Sequence, residues 1–223
     1  MADFSAFVFD LDGTLIDSAP DIAAGLNVAF RHKGWPECEA RYVERFTGNG
    51  PMALIRDILA DRGITATDAE VAEAHDGYLA AYQREPAART QFYPHVREDL
   101  AALRAAGIRL GICTNKTHAI TAQVLRTLKL DSTFEVAVGA DAVPACKPDP
   151  GHLRAVADAM RLASGTWAYV GDTGVDRATA EAAEVPFFVV PWGNGPRVPV
   201  ADGQRLTRIA DLLQHTRPAA RTA

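Results

Sequence analysis

The chain has 223 residues, 48% of them hydrophobic and 23% charged, with a formal net charge of −5 and a pI of about 5.7. This length builds one generous domain or two small ones around a real core. The acidic balance supplies no basic face for nucleic acid or an anionic membrane, so neither is expected as a partner.

Cys38, Cys113 and Cys146 are odd in number and widely spaced. They form neither a disulfide framework nor a zinc motif, and read as buried, reduced thiols. The start, Met1-Ala2-Asp3-Phe4, lacks the basic and apolar regions of a signal peptide. No apolar run approaches the roughly 18 residues needed to span a bilayer. A cytoplasmic protein is expected.

In chain order, Phe4 to Phe9 is an apolar strand candidate ending at Asp10. From about Ala19 to Gln91 only helical patterns occur. Pro20 opens one in its first turn, Gly34 ends it, and 51–62 and 69–84 supply others. The connections of this stretch to the rest lie near Asp17-Ser18 and Phe92-Tyr93-Pro94. A helix carrying Val96, Leu100 and Leu103 then closes at Gly107. Strands follow at Ile108 to Cys113, Phe134 to Val138, Trp167 to Val170 and Phe187 to Val190, with helices at 117–129, 150–162, 175–183 and 205–215. Apolar strands alternating with helices predict an α/β fold with a parallel sheet covered on both faces. The helical stretch predicts a second, smaller domain: 17–92 against a sheet domain of 1–16 and 93–223. The tail Arg217-Pro218-Ala219-Ala220 is expected to fray.

The chemistry gathers at the strand ends. In Phe9-Asp10-Leu11-Asp12-Gly13-Thr14-Leu15 two carboxylates at i and i+2 leave a strand on the same side, and Gly13 permits a sharp turn. A solvated acidic turn is the plain alternative. Thr114-Asn115 after the second strand offers a hydroxyl and backbone donors to a phosphate. Lys147, in Cys146-Lys147-Pro148-Asp149-Pro150, follows the third strand on a loop stiffened by prolines. Gly171-Asp172-Thr173-Gly174-Val175-Asp176 follows the fourth. A parallel sheet brings all of these to one rim, where ligands of open α/β sheets bind.

Asp10, Asp12 and Asp172 together repel one another and call for a cation, and an all-oxygen donor set with room for water suits Mg²⁺. Asp10 is then a nucleophile that needs no base and forms an acyl phosphate. Asp12 is placed to protonate the leaving oxygen and activate water. Thr114 and Lys147 would hold the equatorial phosphoryl oxygens.

These motifs, Asp10-x-Asp12-Gly13-Thr14, Thr114-Asn115, Lys147-Pro148 and Gly171-Asp172-x3-Asp176, resemble in order those of the haloacid dehalogenase-like hydrolase superfamily. The resemblance implies a Rossmann-like core with an inserted α-helical cap. It implies Asp10 as nucleophile and metal ligand, Asp12 as acid/base with its main-chain carbonyl on the metal, and Asp172 as metal ligand. Asp176 would act behind the metal or through water. Within the superfamily the chain is most similar to phosphoglycolate phosphatases, through Phe9 to Ser18, Gly48-Asn49-Gly50, Thr114-Asn115-Lys116 and Lys147-Pro148-Asp149-Pro150. One departure is Glu184, before Val185-Pro186, where the family commonly has glycine.

Weaker signals stay open. Gly48-Asn49-Gly50 reads either as main-chain donors for a substrate carboxylate or as an interhelix turn. Lys116 reads as a surface lysine that could reach a substrate anion, His118 as solvent-facing, and Trp192-Gly193-Asn194-Gly195 as a plain turn. Arg45 and Arg56 are left unassigned. The expectation is a magnesium phosphatase, monomeric or homodimeric, acting on a small phosphorylated metabolite. A sugar-phosphate mutase and a non-catalytic phosphate-binding module are the alternatives; carbon–halogen and phosphonate cleavage fit the residues less well.

Overall fold

The computed structural model describes residues 3–216; the expected frayed tail lies outside them. Strand β1 (Ala6–Phe9) is buried along its whole length. Its side chains alternate between two apolar clusters, Phe7 and Phe9 on one side and Ala6 and Val8 on the other. Two-sided burial is what a continuously apolar run demands.

The chain then makes a short strand, β2 (Ile16–Asp17), and runs through α1 (Ala19–Lys33), α2 (Ala40–Glu44), α3 (Pro51–Asp61) and α4 (Asp68–Tyr82). Helix α1 has its proline in the first turn and ends at Gly34, whose φ of 68° is the left-handed cap that glycine favours. Helix α4 begins with a capping box between Thr67 and Glu70. The return strand β3 (Gln91–Phe92) pairs antiparallel with β2, Ile16 opposite Phe92 and Asp17 opposite Gln91. The helical insert is therefore joined to the sheet by one narrow two-stranded ribbon. With two residues in each strand, neither has an apolar period to read in the sequence.

Beyond the ribbon come α5 (Val96–Ala105), β4 (Arg109–Cys113), α6 (His118–Thr127), β5 (Val136–Val138), α7 (Pro150–Ala159), β6 (Trp167–Gly171), α8 (Gly174–Ala183) and β7 (Phe187–Val189). The main sheet is parallel, in the order β5-β4-β1-β6-β7. The chain builds outward from β1 on one side, then crosses to the other. The order therefore reverses around β1, and the carboxyl ends of β1, β4 and β6 open onto the crevice where such sheets bind ligands.

The expected helix 205–215 is a correction. Arg205 bridges to Val189, and the chain forms 3-10 turns at Asp202–Gln204 and Ile209–His215. Leu206, Ile209 and Leu212 are all buried, a spacing of three that matches a 3-10 repeat better than an α-helix. Cys38 and Cys113 are buried free thiols and Cys146 is half-buried. No helix among the described residues is long and apolar enough to cross a membrane.

Candidate active site

Asp10 is the first residue after β1, and its amide donates to the Val170 carbonyl of β6 at 2.9 Å. The carboxylate that emerges is 3% exposed. Burial pushes its pKa up to about 7, opposed mainly by the charge of Lys147. Three residues on, Gly13 turns the chain with φ of +88°. A Cβ there would lie 2.5 Å from Asp172 Oδ2, so glycine is required both by conformation and by the approach of that carboxylate.

Lys147 reaches this point from the loop before α7 and is 3% exposed. Its ammonium donates to Asp10 Oδ1 at 2.8 Å, Asp176 Oδ1 at 2.6 Å and the Tyr169 hydroxyl at 2.9 Å. All three donors of the ammonium are thereby used. Burial works against its charge, yet Asp10 and Asp176 together raise its pKa. Two groups missing from the sequence reading hold it there. His152 is fully buried; its Nδ1 accepts from the Lys147 amide at 3.3 Å and its Nε2 lies 3.1 Å from the Val138 carbonyl. Burial lowers the imidazole pKa to about 4, so the ring is neutral, with Nε2 as the donor. Tyr169, a fully buried strand residue, carries its hydroxyl 2.8 Å from Asp176. Neither residue stands in a recognisable motif. The only sequence signal for each is a polar atom on an element that is otherwise apolar on its inner face.

Asp176 both caps α8 and faces Lys147. Its Oδ2 accepts from the Thr173 hydroxyl at 2.6 Å, the Thr173 amide at 3.0 Å and the Asp172 amide at 3.3 Å. Burial alone would raise its pKa, but Lys147, Thr173 and Tyr169 hold it below the ordinary range. Asp172, by contrast, is pushed well above that range, by burial first and then by Asp176 and Asp10. It accepts from the Thr14 hydroxyl and the Asn194 amide, each at 3.0 Å.

One carboxylate oxygen from each of Asp10, Asp172 and Asp176 lies within 4.8 Å of the others, and all three residues are buried. Three acidic groups lie together while Lys147 pairs with only two of them, and Asp10 and Asp172 are both displaced upward in pKa. A hard divalent cation among these oxygens relieves that imbalance, so the donor set fits Mg²⁺. The Asp12 side chain is not part of the cluster, which corrects the expectation that its carboxylate joins the other two. It turns instead toward the insert, where Ser18 Oγ donates to it and Lys116 Nζ lies 2.9 and 2.7 Å from its two oxygens. Both Asp176 oxygens already accept from protein donors.

A cavity of about 60 Å³ opens over Asp10 between the sheet rim and helices α3 and α4. Asp12, Thr114, Asn115 and Lys116 line it from the sheet side, and Gly48 and Gly50 from the insert. Asn49 is exposed and stands outside these walls. Thr114 is buried, and its hydroxyl accepts from the Lys116 amide at 3.3 Å, leaving its proton to donate into the cavity. Asn115 Nδ2 donates to the Gly48 and Lys147 carbonyls, both at 2.9 Å, and so ties the insert to the sheet rim. Lys116 is buried at 9% exposure, which corrects its reading as a surface residue. The Trp192 to Gly195 segment is also more than a turn. Trp192 Nε1 donates to the Thr14 carbonyl at 2.9 Å, and Asn194 joins Asp172 to the Glu44 carbonyl of α2. His118, Arg45 and Arg56 are exposed and outside the cavity.

Residues 7–190 match the family model described as haloacid dehalogenase-like hydrolase. The chain is 42% identical over 208 residues to a phosphoglycolate phosphatase of Cereibacter sphaeroides, covering 93% of this chain and 90% of that one. It is 37% identical over 204 residues to a phosphoglycolate phosphatase of Rhodospirillum rubrum, covering 88% and 83%. A crystal structure described as a predicted phosphoglycolate phosphatase from Haemophilus somnus superposes with a TM-score of 0.82 at 26% identity, covering 96% of this chain and 98% of that one. The chain belongs to the haloacid dehalogenase-like hydrolase family and is a phosphoric monoester hydrolase within it.

Proposed function

We propose that this enzyme is a magnesium-dependent phosphatase that hydrolyses 2-phosphoglycolate to glycolate and phosphate through a phosphoryl-aspartate on Asp10. The observation that carries the reading is the buried contact of Asp10 with Lys147 at the foot of a small cavity, beside the Asp172 carboxylate.

Asp10 and Asp172, with the Asp12 main-chain carbonyl, would hold Mg²⁺. When bound, the ion offsets the charge of Asp10 and of the phosphoryl oxygens. An Asp10 oxygen attacks phosphorus while the ester P–O bond breaks. Asp12 gives the departing glycolate oxygen its proton, then takes one from the water that attacks the phosphoryl-aspartate. That second displacement breaks the bond to Asp10 and releases phosphate. Thr114 and Lys147 hold the equatorial oxygens where charge accumulates. Lys147 is already positioned by Asp176, Tyr169 and His152, so little reorganisation is needed as charge develops. Asp12 reaches the leaving oxygen by turning from Ser18 while keeping one oxygen on Lys116.

The insert 17–92 acts as a cap over the core formed by 1–16 and 93–223, and the β2–β3 ribbon is where it hinges. Closure through the Asn115–Gly48 and Asn194–Glu44 bonds excludes water, and reopening releases product. Gly48 and Gly50 border the substrate on the cap side. The substrate assignment rests on the names of the relatives and on the small cavity. Its test is a turnover panel of small phosphate esters with Mg²⁺. 2-Phosphoglycolate should rank among the best by kcat/KM; a poor rank there, with other esters turned over well, contradicts the substrate and leaves the reaction standing.

A further inference from the structure

Resting on that reading, we propose that Lys116 is the specificity residue of this enzyme: its ammonium binds the substrate carboxylate and so selects a carboxylate-bearing phosphate ester.

Lys116 is the one cationic side chain among the residues lining the cavity. Lys147 lies below, beside Asp10 at the phosphoryl end and outside the cavity lining. Much of the remaining wall is apolar, including Ile22, Leu54, Leu79 and Ile120. An anionic group at the far end of a short ester therefore meets one partner of opposite charge. In a poorly solvated cavity that single contact discriminates strongly.

The ammonium is also preorganised. Asp12 holds it at 2.7 Å, and it stands 4.8 Å from the ring centroid of Tyr82. Two of its three protons are occupied by Asp12, and the third remains for a ligand. An ammonium held on two sides has already lost much of the rotamer freedom that binding would otherwise cost.

A separate observation points to a polar ligand in the same place. Among the described residues, the buried side-chain polar atoms without a hydrogen-bond partner are the Tyr82 hydroxyl and Asn115 Oδ1. Both residues line this cavity, Tyr82 from α4 and Asn115 from the sheet rim next to Lys116 in the chain. An orphaned hydroxyl at 2% exposure costs free energy unless something in use satisfies it. A carboxylate held by Lys116 gives the Tyr82 O–H an acceptor.

The test compares 2-phosphoglycolate with 2-hydroxyethyl phosphate, which replaces the carboxylate by an alcohol at nearly the same length. The wild-type enzyme should favour the carboxylate ester in kcat/KM by about 100-fold. In Lys116→Met that ratio should fall to within about threefold of one, and Lys116→Arg should recover part of it. Lys116→Gln gives the same reading should the methionine variant not fold. An unchanged ratio in the variants, or a wild type indifferent to the carboxylate, overturns the proposal while leaving the phosphatase reading intact. Titration calorimetry of 2-phosphoglycolate into Asp10→Asn protein, with and without Lys116→Met, reads the contact without turnover. Weakening of about 30-fold or more is expected, and equal affinity overturns the proposal. If the wild type hydrolyses neither ester, the proposed substrate fails and the calorimetry still decides the role of Lys116.

Discussion

Lys147 and Asp10 stand 137 residues apart in the chain and 2.8 Å apart in the folded protein. The ammonium is shared with Asp176, so one side chain neutralises two buried carboxylates. Pairs of this kind contribute little net stability when intact but are costly to break, because the survivors stay buried without a partner. Lys147→Met should therefore lower stability by about 3–5 kcal/mol in the absence of metal. It should also abolish turnover. Urea melts with and without Mg²⁺ check the first part, and Mg²⁺ should restore more stability to the variant than to the wild type. Equal restoration would mean that the ion and Lys147 do not share the same carboxylates.

An ion that binds the folded state alone raises stability by about 2.7 kcal/mol at 100 times its dissociation constant. Wild-type protein should show that rise with Mg²⁺, and EDTA should remove both the rise and the activity. In Asp172→Asn the rise should be largely lost. A melting temperature that responds to Mg²⁺ equally in both proteins would place the ion elsewhere.

Most of the sheet and rim was legible because both leave local signals. A strand buried on both faces is apolar throughout, as Phe7 to Phe9 is, and an acidic pair beside a glycine marks the turn after it. Gly13 carries a double signal in the structure, with its positive φ and its closeness to Asp172. What was missed depends on distant contacts. Lys116 looks like any lysine near a helix start, and only the arrival of Asp12 and Tyr82 buries it. His152 and Tyr169 are ordinary members of a helix and a strand until the Lys147 loop folds onto them. The last segment misled through its apolar spacing, since Leu206, Ile209 and Leu212 repeat every three residues and the chain winds accordingly.

His152 gives the protein a specific acid sensitivity. Burial lowers its folded pKa to about 4, against about 6.5 in an unfolded chain. Between these values the unfolded state binds the extra proton, so stability falls as pH drops from about 6.5 to about 4 and levels off below. The loss assigned to this group is about 3 kcal/mol. In His152→Asn the difference in stability from wild type should shrink steadily over that range, read from urea midpoints at several pH values. Parallel curves for the two proteins would remove His152 from the account.

Glu184 ends α8 in the left-handed conformation, with φ of 60° and ψ of 40°. A side chain there carries a steric cost that glycine avoids. Glu184→Gly should stabilise the protein by about 0.5–1 kcal/mol with kcat/KM unchanged. The melting temperature checks the first part and steady-state kinetics the second.

The claim on which the rest stands is that the phosphoryl group passes onto Asp10. Acid quenching of enzyme and substrate within the first turnover, followed by peptide mass analysis, tests it directly. A peptide containing Asp10 should gain the mass of one phosphoryl group and lose it again as turnover completes, and Asp10→Asn should show neither adduct nor product. Release of phosphate by the wild type with no transient adduct on that peptide, or sustained turnover by Asp10→Asn, would contradict the account.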